Sequence, residues 1–139
     1  MSQRILIYGA TGYTGRLIAG EAARRALDVV LAGRNADRLR SVAEPLGLEA
    51  RAVALSDPAR LREALRDVAC VLHVAGPFSE TAEPMVEACL ATGTHYLDVT
   101  GEIDVFESIA RRGAQAKTAG VLLLPGVGFD VVPSDCLAA

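Results

Sequence analysis

Short apolar runs alternate along this chain with longer stretches in which apolar residues recur every three or four positions. The runs predict strands over residues 4–8, 29–32, 50–55, 70–75, 96–99 and 121–124, because brief continuous apolar segments bounded by turn residues suit strands buried on both faces. Between them, helical spacing predicts a helix over 12–26, with Leu17, Ile18, Ala22 and Ala26 on one face, and another over 37–46, with Leu39, Val42, Ala43 and Leu46 inward. Ser56-Asp57-Pro58 opens a third helix carrying Leu61, Leu65 and Val68, with proline at a favoured first-turn position. Further helices are predicted over 83–91, stopped by Gly93, and over 103–118, stopped by Gly120. Six strands alternating with helices call for a doubly wound parallel α/β sheet of the Rossmann type, order 3-2-1-4-5-6, with helices on both faces.

The length of 139 residues fits one domain, residues 1–139. Half the chain is hydrophobic (51%) but only 4% is aromatic, so the core must be aliphatic. A net charge of −3, with Lys117 the single lysine and no basic block, argues against nucleic acid as a partner. No apolar run approaches the ~20 residues of a membrane span, and Ile5-Leu6-Ile7 leads into glycines, not a cleavage site; a cytoplasmic location is expected. Cys70, Cys89 and Cys136 form no Cys-x-x-Cys pair and suit a reducing compartment. Each is read as a small buried apolar residue, Cys136 with attention because it follows Pro133-Ser134-Asp135.

The first strand ends in Gly9-Ala10-Thr11-Gly12-Tyr13-Thr14-Gly15. Directly after a strand and opening a helix, this spacing predicts a dinucleotide site. Gly9 allows the tight exit, Gly12 lets a diphosphate approach the backbone, and Gly15 lets the helix pack on the sheet. The helix amides then face the phosphates, with Thr11 and Thr14 adding hydrogen bonds or capping the helix. Gly9, Thr11, Gly12, Tyr13, Thr14 and Gly15 are thus candidate cofactor contacts. The competing reading is that the glycines serve packing alone.

The second strand runs into Gly33-Arg34-Asn35, where an NAD site would carry an Asp or Glu for the ribose hydroxyls. Arg34 instead offers a planar fork of donors for a 2′-phosphate, so NADP(H) is expected over NAD(H), with Arg34 and Asn35 as contacts. Asp57 either meets the adenine edge or caps the third helix.

A Tyr-x-x-x-Lys pair is excluded, since Gly113 stands four residues before Lys117. No metal site is expected: His73 and His95 are isolated, the first read as a satisfied core histidine and the second as structural. The remaining polar groups at strand ends are Asp98, Thr100, Glu102, Asp130, Ser134 and Asp135. Asp98 with Thr100, and Ser134 with Asp135, are placed to cap the helices that follow. Asp130 is the candidate proton-handling residue.

Several segments together resemble the saccharopine dehydrogenase-like NAD(P)-dependent oxidoreductases, in the branch that contains trans-acting enoyl reductases. They are the glycine turn from Tyr8 to Gly15, Leu31-Ala32-Gly33-Arg34-Asn35, Ala75-Gly76-Pro77-Phe78, Gly93-Thr94-His95-Tyr96-Leu97-Asp98-Val99-Thr100-Gly101-Glu102, and Gly128-Phe129-Asp130-Val131-Val132-Pro133-Ser134-Asp135. The resemblance implies that Gly76, Pro77 and Phe78 border the dinucleotide. It also implies a further domain for a small-molecule substrate and for homodimerisation, so these residues alone are not expected to turn over. Hydride transfer to a carbonyl, imine or enoyl substrate is the expected activity, with a non-catalytic NADP(H)-sensing module as the alternative.

Overall fold

The computed structural model describes residues 3–129 and 131–139. In chain order the elements are β1 (Ile5–Tyr8), α1 (Tyr13–Arg24), β2 (Val29–Gly33), α2 (Ala36–Ala43), a 3-10 turn (Glu44–Leu46), β3 (Glu49–Ala52), α3 (Pro58–Ala64), β4 (Cys70–His73), α4 (Phe78–Thr92), β5 (His95–Asp98), α5 (Ile103–Ala110), α6 (Gly113–Ala119), β6 (Leu123–Leu124) and α7 (Val132–Ala138). Among the described residues the strands form one six-stranded sheet, ordered β3-β2-β1-β4-β5-β6. All neighbours pair in parallel, with Ile5 beside both Val29 and Cys70. The order reverses between β1 and β4, and there two crossovers diverge and leave a crevice.

Successive strand residues point to opposite faces, and the core divides accordingly. Ile7, Val29 and Leu31 pack with Ala19 and Ala22 of α1 and Leu39 and Ala43 of α2. Leu6, Tyr8, Val71 and Tyr96 pack on the other face with Leu61 of α3, Met85 and Val86 of α4, and Val105 and Ile109 of α5. Each fully buried Leu, Ile or Met contributes roughly 1.5–3 kcal/mol. Leu17, expected on the inner face of the first helix, is exposed, and small alanines make that contact instead.

Two helices differ from their sequence reading. α4 begins at Phe78, well before the expected residue 83, and runs through Pro84; its start is satisfied by a distant side chain described below. The stretch expected as one helix is broken into α5 and α6 at Arg111-Arg112. There the Arg112 guanidinium pairs with Glu83 and Glu87 of α4, and Gly113 is a poor residue for helix continuation. Gly93 and Gly120 end their helices in the left-handed conformation, φ 71° and 67°, as glycine stops require. Two arginines join an ion-pair network at the amino ends of the strands: Arg4 meets Asp28, Glu49 and Asp67, and Arg51 meets Glu49 and Asp67. Cys89 is buried and Cys70 half-buried, whereas Cys136 is exposed, against expectation, because the short α7 buries none of its residues.

The turn after β1 depends on backbones in near contact. Gly9 takes φ 93°, and a Cβ there would lie 2.8 Å from Ala75 N; a Cβ on Gly15 would lie 2.3 Å from Gly9 O. Gly15→Ala must therefore push α1 off the turn, at a cost of about 1–3 kcal/mol. Urea unfolding is expected to show that loss; an unchanged midpoint would mean that the turn yields freely.

Candidate functional site

A cleft of about 1010 Å³ opens over the carboxyl ends of β1, β2 and β4, the position open α/β sheets use for ligands. Its wall includes Gly9, Thr11, Gly12, Arg34, Gly76 and Pro77 of the expected contacts. Gly9 N and Ala10 N donate to Ala32 O at 2.9 and 3.3 Å, and Gly12 N donates to Gly9 O at 3.0 Å. The loop is thus held to β2 by its own backbone. Gly12 is the residue preceding α1, and no side chain caps this helix, so neither Thr11 nor Thr14 acts as its cap. The first-turn amides, with the positive end of the helix dipole, remain open to an anion. A Cβ on Gly12 would meet nothing nearer than Gly9 O at 3.4 Å. Packing therefore demands glycine at positions 9 and 15 but not at 12.

The other expected contacts stand outside the cleft wall. Gly15 is buried beneath the turn. The Tyr13 ring is 83% exposed, and Thr14 is exposed. Asn35 caps α2, its side-chain oxygen accepting from Arg38 N at 2.9 Å. Phe78 turns its ring edge-on to His73, centroids 5.5 Å apart. Asp57 caps α3 by accepting from Arg60 N at 3.1 Å. Asp130 lies outside the described residues.

Arg34 is exposed at the end of β2 and lines the cleft, and no carboxylate among the described residues pairs with it. An unpaired guanidinium beside an uncapped helix N-terminus makes this end of the cleft attractive to phosphate. Unanticipated wall residues come from the exit of β3 (Ala54, Leu55, Ser56) and from the first turns of α4 (Glu80, Thr81, Pro84). The first group could have been found from the rule that ligands meet strand ends. The second was hidden because residues 78–82 carry no helical start signal of their own.

That start signal is Glu102. Its carboxylate oxygens accept from Phe78 N at 2.8 Å and Ser79 N at 2.9 Å, which holds its pKa below the usual value. Glu102 N in turn donates to Thr100 Oγ1 at 3.1 Å, and Thr100 N donates to Asp98 Oδ1 at 3.0 Å. Asp98 is fully buried, and it also accepts from Gly126 N at 2.9 Å and Tyr96 Oη at 2.6 Å. Burial pushes the Tyr96 hydroxyl up, with the adjoining carboxylate adding to it. Asp98 thus ties the exits of β5 and β6 together instead of capping α5. Ser134 and Asp135 fall inside the first turn of α7, not before it. Among the described residues no group of His, Cys, Asp and Glu is placed to hold a metal, and no helix is long and apolar enough to cross a membrane.

His95 is structural, its Nδ1 accepting from Leu122 N at 3.0 Å. His73 is only half satisfied. It is 0% exposed at the end of β4, with Nε2 3.1 Å from Thr81 Oγ1. Thr81 spends its hydroxyl proton on Ala75 O at 2.6 Å, so His73 Nε2 donates to it and Nδ1 is left without a partner among the described residues. Burial lowers the His73 pKa from 6.5 to about 4. As pH falls from 6.5 towards 4, the unfolded chain takes up a proton that the folded chain refuses, and stability declines. Unfolding free energies measured from pH 7 to 4.5 are expected to fall accordingly. His73→Gln is expected to flatten this slope whatever its stability at neutral pH, and an equally steep slope in the variant would contradict the assignment.

Comparison with known proteins agrees with this geometry. The saccharopine dehydrogenase NADP binding domain family matches residues 5–124. A trans-acting enoyl reductase of Mycobacterium leprae is 38% identical over 94% of this chain, and one of Mycobacterium ulcerans is 37% identical over 94%. The chain spans 33% of the length of each. In three dimensions the saccharopine dehydrogenase (L-Glu forming) of Saccharomyces cerevisiae matches with TM-score 0.84 at 19% identity, covering 98% of this chain and 29% of that one. The Citrobacter triphenylmethane reductase, complexed with NADP(H), matches with TM-score 0.64 at 20% identity, over 84% and 46%; these two likenesses are of fold. The chain belongs to the saccharopine dehydrogenase family, whose NADP-binding domain it forms.

Proposed function

We propose that this domain binds NADP(H) in preference to NAD(H), within an oxidoreductase that reduces an enoyl substrate. The observation that carries the cofactor preference is Arg34, an unpaired guanidinium at the end of β2 in the wall of the cleft. A guanidinium there suits a dianionic 2′-phosphate and leaves ribose hydroxyls without the acidic acceptor that NAD sites provide. The diphosphate is placed on the uncapped amides of α1, over Gly12, with Thr11 beside it and Tyr13 and Thr14 at the exposed rim. Gly76 and Pro77 border the ligand from the β4 side, with Phe78 behind them against His73, and Asn35 caps α2 next to Arg34.

When bound, the reduced nicotinamide would supply the hydride; the residues here bind and orient it. The enoyl assignment rests on the names of relatives 37–38% identical to nearly all of this chain. Because the chain spans a third of their length, the substrate is placed against residues beyond this domain, and dimerisation is assigned there too.

Calorimetric titration with NADPH and NADH tests the reading. NADPH is expected to bind at least tenfold more tightly, and Arg34→Asp to abolish or reverse the preference, since a charge-assisted contact is exchanged for repulsion. Gly12→Asp, at a position where a Cβ meets nothing nearer than Gly9 O at 3.4 Å and where a carboxylate can cap α1, is expected to remove binding of both nucleotides without lowering the thermal unfolding temperature. Equal affinities in the parent chain would overturn the preference.

A further inference from the structure

The wall of the cleft carries one carboxylate among the described residues, Glu80 in the first turn of α4. Its side chain takes part in no ion pair or hydrogen bond there, unlike the acids around it. Asp57 caps α3, Glu102 caps α4, Glu83 pairs with Arg112, and Asp37 pairs with Arg40. An uncommitted negative charge in a phosphate-binding cleft is a cost, because it repels the ligand that Arg34 and α1 attract. The start of α4 offsets part of that cost, and a donor on an uncharged part of the ligand would offset the rest.

The position of Glu80 narrows which part. The same wall carries Ala54 and Leu55 at the exit of β3, and Pro84 one helical turn after Glu80. These are apolar surfaces suited to the faces of a flat ring, on the side of the sheet where Arg34 would hold the adenosine 2′-phosphate. Adenine fits such a slot and presents N–H donors on its 6-amino group. Resting on the NADP(H) reading above, we infer that Glu80 accepts a hydrogen bond from the adenine 6-amino group and sets the base preference of the site. Asp57, the acid that sequence spacing would offer for this task, is held away in its cap. Glu80 is therefore a specificity residue: it selects among nucleotides and takes no part in hydride transfer.

The test compares the binding of NADPH with that of its analogue bearing hydrogen in place of the adenine 6-amino group. Repulsion between Glu80 and the phosphates is common to both ligands and cancels in the ratio of their affinities. The parent chain is expected to favour NADPH by about tenfold or more, the scale of a hydrogen bond to a charged group. Glu80→Ala is expected to bring the ratio near one, with thermal unfolding little changed because the residue is exposed. A variant that keeps the parent ratio would overturn the assignment, leaving Glu80 only its favourable place at the start of a helix. So would a parent chain that does not distinguish the ligands. Failure of the parent chain to bind either would instead refute the NADP(H) reading, and this inference with it.

Discussion

The close approach of three backbones at the end of β1 is the constraint on which the rest of the molecule turns. The strand must stop, reverse into α1 and pass beneath the exit of β4 within contact distance, and only residues without a Cβ fit at 9 and 15. Once that contact is made, α1 lies on the face it shares with α2, while α3, α4 and α5 take the other. The crevice between β1 and β4 follows from this division. The positive end of α1 is delivered to its mouth by the same contact.

Two helix N-termini face that region, and the protein treats them differently. The first amides of α4 are claimed by Glu102, which reaches them through a chain of hydrogen bonds rooted in buried Asp98. Those of α1 are given no side-chain acceptor. A polypeptide rarely leaves donors at a helix end unanswered unless water or a ligand answers them. With Arg34 unpaired in the same cleft wall, this asymmetry supports the proposed binding of the cofactor's anionic part at α1, with α4 contributing its side chains.

The strands, the glycine turn and the placement of Arg34 were legible in the sequence because each depends on residues adjacent along the chain, and the sheet order followed from the rules for alternating strands and helices. Apolar runs show the strands, and the spacing of Gly9, Gly12 and Gly15 shows the turn. What was not legible depends on contacts between distant segments. The start of α4 is set by a carboxylate 24 residues away from Phe78, so local signals placed it too late and concealed Glu80 and Thr81. The break between α5 and α6 is marked by Arg112 pairing with α4, and in its own stretch only Gly113 announces it. The half-satisfied state of His73 likewise follows from how Thr81 spends its single proton. The candidate site was thus readable where it is made of loops next to strands, and unreadable where a helix on the opposite face enters it.

The diphosphate is expected at the open N-terminus of α1 and not at that of α4. Amide resonances of the isotope-labelled chain, followed while NADPH is added, test it directly. The amides of residues 12–15 are expected to shift progressively to saturation, with Phe78 and Ser79 moving less because Glu102 keeps its hold on them. Saturating binding that moves Phe78 and Ser79 while residues 12–15 stay fixed would contradict it.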